Sequence, residues 1–447
     1  MAMQWEGKSF MENLPKIYGI YTGGFLAFFA AMAVLERFGV GADTIGILFL
    51  MFTLVIYAFI GVLSRTMAVD AYYVAGRSVP PVFNGMATAA DWMSGASFVA
   101  MAGGIFMAGY GYMAFIVGWT GGYILVATLM APYLRKFGCY TVPDFIGTRY
   151  GGKLTRFCAI VVLVVASFTY VTAQITATGT IAARAFQIPF EAGVWLGLAG
   201  ILVCSMLGGM RAVTWTQVAQ YIVLIVAYLI PIFWMSIVQG FGPLPHLSYG
   251  GGVQRIMELE PVIGVGTAAV APQAGLAVLT KLHATPAEGA LAAWQFVTLV
   301  ACMMIGTASL PHILMRYFTT PSVRDARSSV AWSLFFIFLL YFSAPALATL
   351  SKLQMIDPEL ATSIIGKSIE EVSKLQWIQK WGAIGLLKIV DGNSDGILQI
   401  NEFFLNADII VLATPEMAGL PYVISGLVAA GGMAAAMSTA DGLLLAL

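Results

Sequence analysis

Ten apolar runs of about bilayer length dominate this chain and leave little room for another kind of fold. They cover roughly residues 18–37, 43–64, 84–108, 111–134, 155–186, 191–209, 213–238, 289–315, 328–350 and 419–447. A helix rises about 1.5 Å per residue, so about 20 apolar residues cross the hydrocarbon layer. In lipid each backbone N–H and C=O must find its partner within the protein, so such runs fold as helices. The run 155–186 is longer than a bilayer needs and is predicted to tilt or protrude. Only 10% of the 447 residues are charged and 60% are hydrophobic, where a soluble domain carries about 25% charged residues. The predicted fold class is an all-α polytopic membrane protein. Lys+Arg and Asp+Glu balance at 22 each, which leaves no basic face for nucleic acid. The polar first 16 residues and the lack of a small-residue cleavage site give no expectation of a cleavable signal peptide. Cys139, Cys158, Cys204 and Cys302 lie singly in or beside apolar runs. That is the pattern of small packing residues, not of a disulfide framework or thiolate metal site. No nucleophile–base pair or phosphate loop marks an enzyme.

Basic residues in the short connections set the orientation. With the N-terminus in the cytoplasm, Arg65, Arg77, Arg135, Lys136, Arg211, Arg316 and others fall on the cytoplasmic side. The opposite short connections hold only Arg37 and Arg184. The expectation is a multi-pass protein of the cell (inner) membrane, its N-terminus cytoplasmic and its long connections 239–288 and 351–418 extracytoplasmic. The first of these, rich in Gly, Pro and His, is predicted to be partly irregular. In the second, residues 366–390 have the pattern of an amphipathic helix. The last run stops at Leu447 inside an apolar stretch, which reads as a C-terminally truncated chain.

Two acids, Asp91 and Asp441, stand inside apolar runs; the others fall in loops or at helix ends. An acid at that depth costs about 2.5–3.5 kcal/mol even on the lenient insertion scale. Such a group is a functional-site hypothesis. Asp91 lies in the stretch Asn84–Gly104, with Thr88, Ser94 and Ser97 around Gly95. This is the composition of a helix that can break and turn carbonyls toward an ion. Asp91 could hold such a break through hydrogen bonds, tune the ion or carry a proton. Asp441 is a second coupling or proton candidate, or simply faces the interior and water. Ser438 and Thr439, read alone, could equally bond back to a preceding carbonyl and pack. His312, between Pro311 and Arg316, reads as a satisfied buried histidine.

Four separated motifs carry a resemblance. Tyr72-Tyr-Val-Ala-Gly-Arg77, the 84–104 stretch, Gly208-Gly-Met-Arg-Ala-Val-Thr-Trp-Thr-Gln-Val-Ala-Gln220 and Ala434-Ala-Ala-Met-Ser-Thr-Ala-Asp441 resemble the sodium–solute symporter family. Gly306-Thr-Ala-Ser-Leu-Pro-His-Ile-Leu-Met-Arg316 resembles its cation–acetate symporter branch. The resemblance implies an inverted-repeat, leucine-transporter-like fold. Residues 1–64 would be two peripheral helices, 84–350 core helices one to seven, 351–418 an extracytoplasmic loop and 419–447 the eighth core helix. It implies a sodium ion where the first and eighth core helices meet. The ligands carried over are the backbone carbonyls of Ala90, Met93 and Ala435 and the hydroxyls of Ser438 and Thr439. Hard neutral oxygens of this kind suit sodium. Substrate candidates beside the break are Ser94, Ser97, Gln174, Trp294 and Thr307, each also readable as packing, and Trp294 as an interface anchor. N–H groups freed after Gly95 would suit a carboxylate. The implied function is sodium-coupled import of acetate or a related short monocarboxylate by alternating access. The alternatives are an amino acid symporter, or a sensor module with a signalling domain beyond Leu447.

One motif lies outside that resemblance. Asp391-Gly-Asn-Ser-Asp-Gly-Ile-Leu-Gln-Ile-Asn-Glu402 matches the twelve-residue EF-hand loop. Asp391, Asn393, Asp395, Ile397 (through its carbonyl), Gln399 and Glu402 would hold Ca2+ between helical flanks, as a structural clamp on the extracytoplasmic loop.

Overall fold

The computed structural model describes residues 8–265, 276–286 and 288–447, with the side chains of 8–11 and 203–207, Cys204 among them, outside the description. The apolar runs fold as helices. Eight described helices are long and apolar enough to cross a membrane, and Phe190–Leu202 is a shorter apolar piece.

Four of the runs depart from straight rods around the centre of the molecule. The run 84–108 splits into Pro81–Trp92, a π turn over Ala96–Ala100, and Met101–Ala108. The runs 191–209 and 213–238 form one bent helix, Phe190–Val238, that turns at Gly209 (φ 53°, ψ −146°). Only glycine suits that corner: its φ is positive, and a Cβ there would lie 2.4 Å from the Tyr72 carbonyl. The run 289–315 breaks after Ala290–Ala308 and resumes as Pro311–Met315. Leu310 precedes a proline and is extended (φ −63°, ψ 116°), as the clash with a proline ring requires.

The long connections carry regular structure of their own. The 239–288 stretch contains the helix Pro245–Val262; residues 266–275 and 287 lie outside the described residues. The expected amphipathic helix over 366–390 is two short helices, Ile369–Ser373 and Gln376–Ala383, followed by strand β1 (Leu387–Ile389). β1 pairs antiparallel with β2 (Phe403–Leu405). The loop Asp391–Glu402 therefore joins two strands, not two helices, which corrects the helix–loop–helix expectation. Its carboxylates turn onto the loop itself. Glu402, 4% exposed, accepts the N–H groups of Gly392 (2.8 Å) and Gln399 (3.1 Å). Asp395 accepts from Ile397 N–H and from the side chains of Asn393 and Gln399, and Asp391 accepts from Gly396 N–H. Among the described residues no group of three or more His, Cys, Asp and Glu side chains is placed to hold a metal ion. The calcium expectation thus finds no support in the geometry. The thiols differ from expectation as well: Cys158 and Cys302 are exposed on the helix surfaces instead of packed, and Cys139 is half-buried.

The centre of the bundle is the helix Tyr422–Ala446, hereafter the inner helix, buried along almost its whole length. It packs against the bent helix, against Lys153–Phe186 and against Ala42–Leu63. Lipid tails are as apolar as leucine, so helices in a membrane gain by close backbone approach between small residues. The inner helix, rich in Gly, Ala, Ser and Thr, is built for that. A Cβ at Gly431 would sit 2.4 Å from the Ala227 Cβ of the bent helix. The first helix, Lys8–Arg37, is tied to the same centre. Tyr18 donates to the Trp215 carbonyl (2.8 Å) and Tyr21 to the Ala219 carbonyl (3.2 Å). Glu36 accepts the N–H groups of Tyr422 and Val423 (2.7 and 2.9 Å), where the inner helix begins.

Substituting Gly431→Val should force the inner and bent helices apart. Overpacking of this kind costs about 1–3 kcal/mol, to be read as a lowered thermal midpoint of the detergent-solubilised protein; Gly250→Ala, in open space, should leave the midpoint unchanged.

Candidate functional site

The break in Pro81–Ala108 frees carbonyls, and the inner helix collects them. The helix ends at Met93 (φ −79°, ψ 70°). In an unbroken helix Ser94 N–H would bond the Ala90 carbonyl; here it bonds Trp92 (2.9 Å). Gly95 N–H, due at the Asp91 carbonyl, instead donates to Gln174 Oε1 (2.9 Å). The two carbonyls left over accept from the inner helix. Ser438 Oγ donates to Ala90 O (2.7 Å) and to Ala435 O (2.9 Å), and Thr439 Oγ1 donates to Asp91 O (2.8 Å). Ala90, Ala435, Ser438 and Thr439 thus meet in one place, all without exposed surface. Thr439 reaches the carbonyl of Asp91, not that of Met93. Gly95 itself is helical; its role is proximity, since a Cβ there would come 2.8 Å from Ala177 and 3.1 Å from Ala436.

A buried charge network adjoins these oxygens. Asp91 Oδ2 pairs with Arg316 Nε at 3.0 Å, both side chains fully buried. Arg316 also donates to Thr214 Oγ1 (3.0 Å), to Met210 Sδ (3.4 Å) and to Gln217 Oε1. Gln217 Nε2 in turn donates to the Ser438 carbonyl (2.6 Å). The guanidinium therefore ties the first broken helix to the bent helix and, through Gln217, to the inner helix. Arg316 was expected among the loop charges of one membrane face. The second break corrects that, because Pro311–Met315 carries the chain back inside and leaves Arg316 pointing at Asp91. His312 is buried as expected, yet neither of its ring nitrogens has a hydrogen-bond partner; its ring lies tilted against Tyr170, 5.7 Å between centroids.

The substrate candidates divide. Ser94, Ser97 and Gln174 are buried around the break, where Ser97 N–H meets Ser94 Oγ (3.2 Å) and Ser97 Oγ meets Tyr341 Oη (3.1 Å). Trp294 is 67% exposed on the outer surface of its helix, away from the break. Thr307 bonds back to the Met303 carbonyl (2.6 Å) and packs onto Gly122, where a Cβ would collide with its hydroxyl. Both are corrected to surface and packing roles. Sequence reasoning missed Arg316 and Tyr341. Pro311 and the small residues before it, a second interruption in an apolar run, were the signal for Arg316. Tyr341 carried none.

Comparison with known proteins agrees with this architecture. A family model described as the sodium:solute symporter family matches residues 72–371. The chain belongs to the sodium:solute symporter family. An uncharacterized symporter of Cupriavidus necator is 42% identical over 98% of this chain and 76% of its own length. A monocarboxylic acid transporter of Corynebacterium glutamicum is 28% identical over 60% of this chain, which spans 48% of that protein. Among solved structures, a Na+-coupled sialic acid symporter in a substrate-bound, outward-open state superposes with a TM-score of 0.58 at 15% identity, over 90% of this chain and 71% of that one. The all-α, leucine-transporter-like fold expected from the motifs is the fold of this chain.

Breaking a buried ion pair from one side strands a charge and costs about 3–5 kcal/mol. Arg316→Met should therefore sharply lower the thermal midpoint, and adding Asp91→Leu should restore much of it. A double variant no more stable than Arg316→Met would show that the pair is not what Arg316 holds.

Proposed function

We propose that this symporter couples inward sodium movement to uptake of a small carboxylate, acetate or a related short monocarboxylate, by alternating access. The observation that carries the reading is the meeting of the Ser438 and Thr439 hydroxyls with carbonyls released by the helix break. The donor set fits sodium: hard, neutral oxygens from two helices, with no full charge to hold the ion too tightly. Sodium would be held by the carbonyls of Ala90, Met93 and Ala435 and by the hydroxyls of Ser438 and Thr439. Its departure would loosen the contact between the broken and inner helices. Asp91, engaged by Arg316, acts in this reading by holding the break rather than as a ligand. The solute would lie beside the break among Ser94, Ser97, Gln174 and Tyr341, where hydroxyl and amide groups suit a carboxylate and the aromatic ring a short apolar body. The acetate-branch motif at Gly306–Arg316 and the monocarboxylic acid transporter relative support the solute class. The protein would lie in the cell membrane with its N-terminus cytoplasmic, residues 1–64 flanking the core, 84–350 and 419–447 forming it and 351–418 outside.

Hydrogen bonds or ligand bonds to a charged group are worth about 1.5–3 kcal/mol each. The paired change Ser438→Ala with Thr439→Ala should thus raise the sodium concentration for half-maximal acetate uptake in proteoliposomes by at least about tenfold. Uptake with unaltered sodium dependence would overturn the assignment.

A further inference from the structure

His312 carries two ring nitrogens that the protein leaves idle. Its side chain is 1% exposed, and among the described residues neither Nδ1 nor Nε2 has a hydrogen-bond partner. In the neutral ring one nitrogen is always a donor, and buried donors are almost always paired. An idle histidine in a packed interior marks a place where an acceptor from outside the chain belongs. A residue that only filled this space would be better as leucine, which has no polar atom to satisfy.

The surroundings say what kind of acceptor. His312 lies against Tyr170, whose hydroxyl meets Ser94 at the break of the first broken helix. Gln174, one turn from Tyr170 on Lys153–Phe186, repeats the pattern. It is fully buried; its Oε1 takes the Gly95 N–H, while its Nε2 has no partner among the described residues. Positions i and i+4 adjoin on a helix face, so two idle donors flank one tyrosine. Arg316, one turn after His312, lies within electrostatic range of the ring, and its positive sign favours an anion there. Two separate N–H donors fit the two oxygens of one carboxylate, and hydrogen bonds to an ionised acceptor are the strong ones.

We propose that His312 and Gln174 clamp the carboxylate of the solute, an imidazole N–H donating to one oxygen and Gln174 Nε2 to the other, with Tyr170 between them. The inference rests on the monocarboxylate reading above and names the groups that hold the acid end of that solute. Both donors are neutral, so the clamp holds the anion without a fixed counter-charge and releases it once the helices part. The short apolar body of the solute then points toward Tyr341, which lies near Tyr170 and meets Ser97. His312 stands on Pro311–Met315, just past the second break. A bound solute therefore bridges that segment to Lys153–Phe186.

The test compares half-saturating acetate concentrations for sodium-driven uptake into proteoliposomes. His312→Leu should raise that concentration at least about tenfold, the loss of one hydrogen bond to a charged group. An asparagine or glutamine amide places an N–H where Nδ1 or Nε2 of the ring stands. One of His312→Asn and His312→Gln should therefore hold the rise to about threefold or less. Gln174→Glu keeps an acceptor for Gly95 N–H but turns the idle donor into a negative acceptor. It should abolish acetate uptake, and it carries the test if His312→Leu fails to fold. In detergent, acetate should raise the thermal midpoint of the unmodified protein but not of His312→Leu, while sodium should raise both. Unchanged acetate affinity in His312→Leu overturns the clamp and leaves the symporter reading standing. So do losses as large in both amide variants as in His312→Leu, or full uptake by Gln174→Glu. An unmodified protein that neither transports acetate nor is stabilised by it overturns the monocarboxylate reading and the clamp with it.

Discussion

A guanidinium inside a helical bundle must be matched or it unfolds the bundle, and the architecture around Arg316 follows from that demand. Its five N–H donors have a fixed fork geometry and no acceptor of their own. They are met by Asp91 from one helix, by Thr214, Met210 and Gln217 from another, and Gln217 passes the contact on to the Ser438 carbonyl. Both chain breaks serve this centre. The one at Met93 leaves Asp91 beside freed carbonyls, and the one at Leu310 returns Arg316 to the interior. The ion pair is thus a fastener between two interrupted helices, each of which alone would carry an unsatisfied group in lipid.

The same economy governs the oxygens. A straight helix would consume the carbonyls of Ala90 and Asp91 internally. Diverting two N–H groups, one to Trp92 and one to Gln174, releases them at no loss of hydrogen bonds. The inner helix then supplies hydroxyls where a bilayer-facing helix would carry leucines. A site of this kind is soft where a partner has an alternative hydrogen bond to fall back on, as Ser438 has in the Ala435 carbonyl.

Much of this was legible in the sequence because lipid permits so few backbone solutions. Apolar length gave the helices, and the family resemblance carried by the run Ala434–Asp441 implied the partner of the 84–104 stretch. Trp294 and Thr307 were misjudged because helical position alone does not say which face of Ala290–Ala308 turns inward. Arg316 was misjudged because charge near the end of an apolar run reads as a loop; only the second break, set by Pro311, reverses that. The Asp391–Glu402 loop shows the reverse error. Its side chains sit at the expected spacing, but the flanking residues Leu387–Ile389 and Phe403–Leu405 are β-branched or aromatic enough to pair as strands.

Glu36 holds the starting turn of the inner helix by two N–H groups, and this makes that end a pivot. Ser438 lies sixteen residues further on, about 24 Å along the axis at 1.5 Å per residue. Swinging the helix about its anchored end by about 5° would carry Ser438 sideways by about 2 Å, enough to part it from Ala90, since hydrogen bonds fail beyond roughly 3.5 Å. A small rocking at one end of a long lever is all that ion release would require, and the fulcrum is supplied by a helix that contributes nothing to the ion site itself.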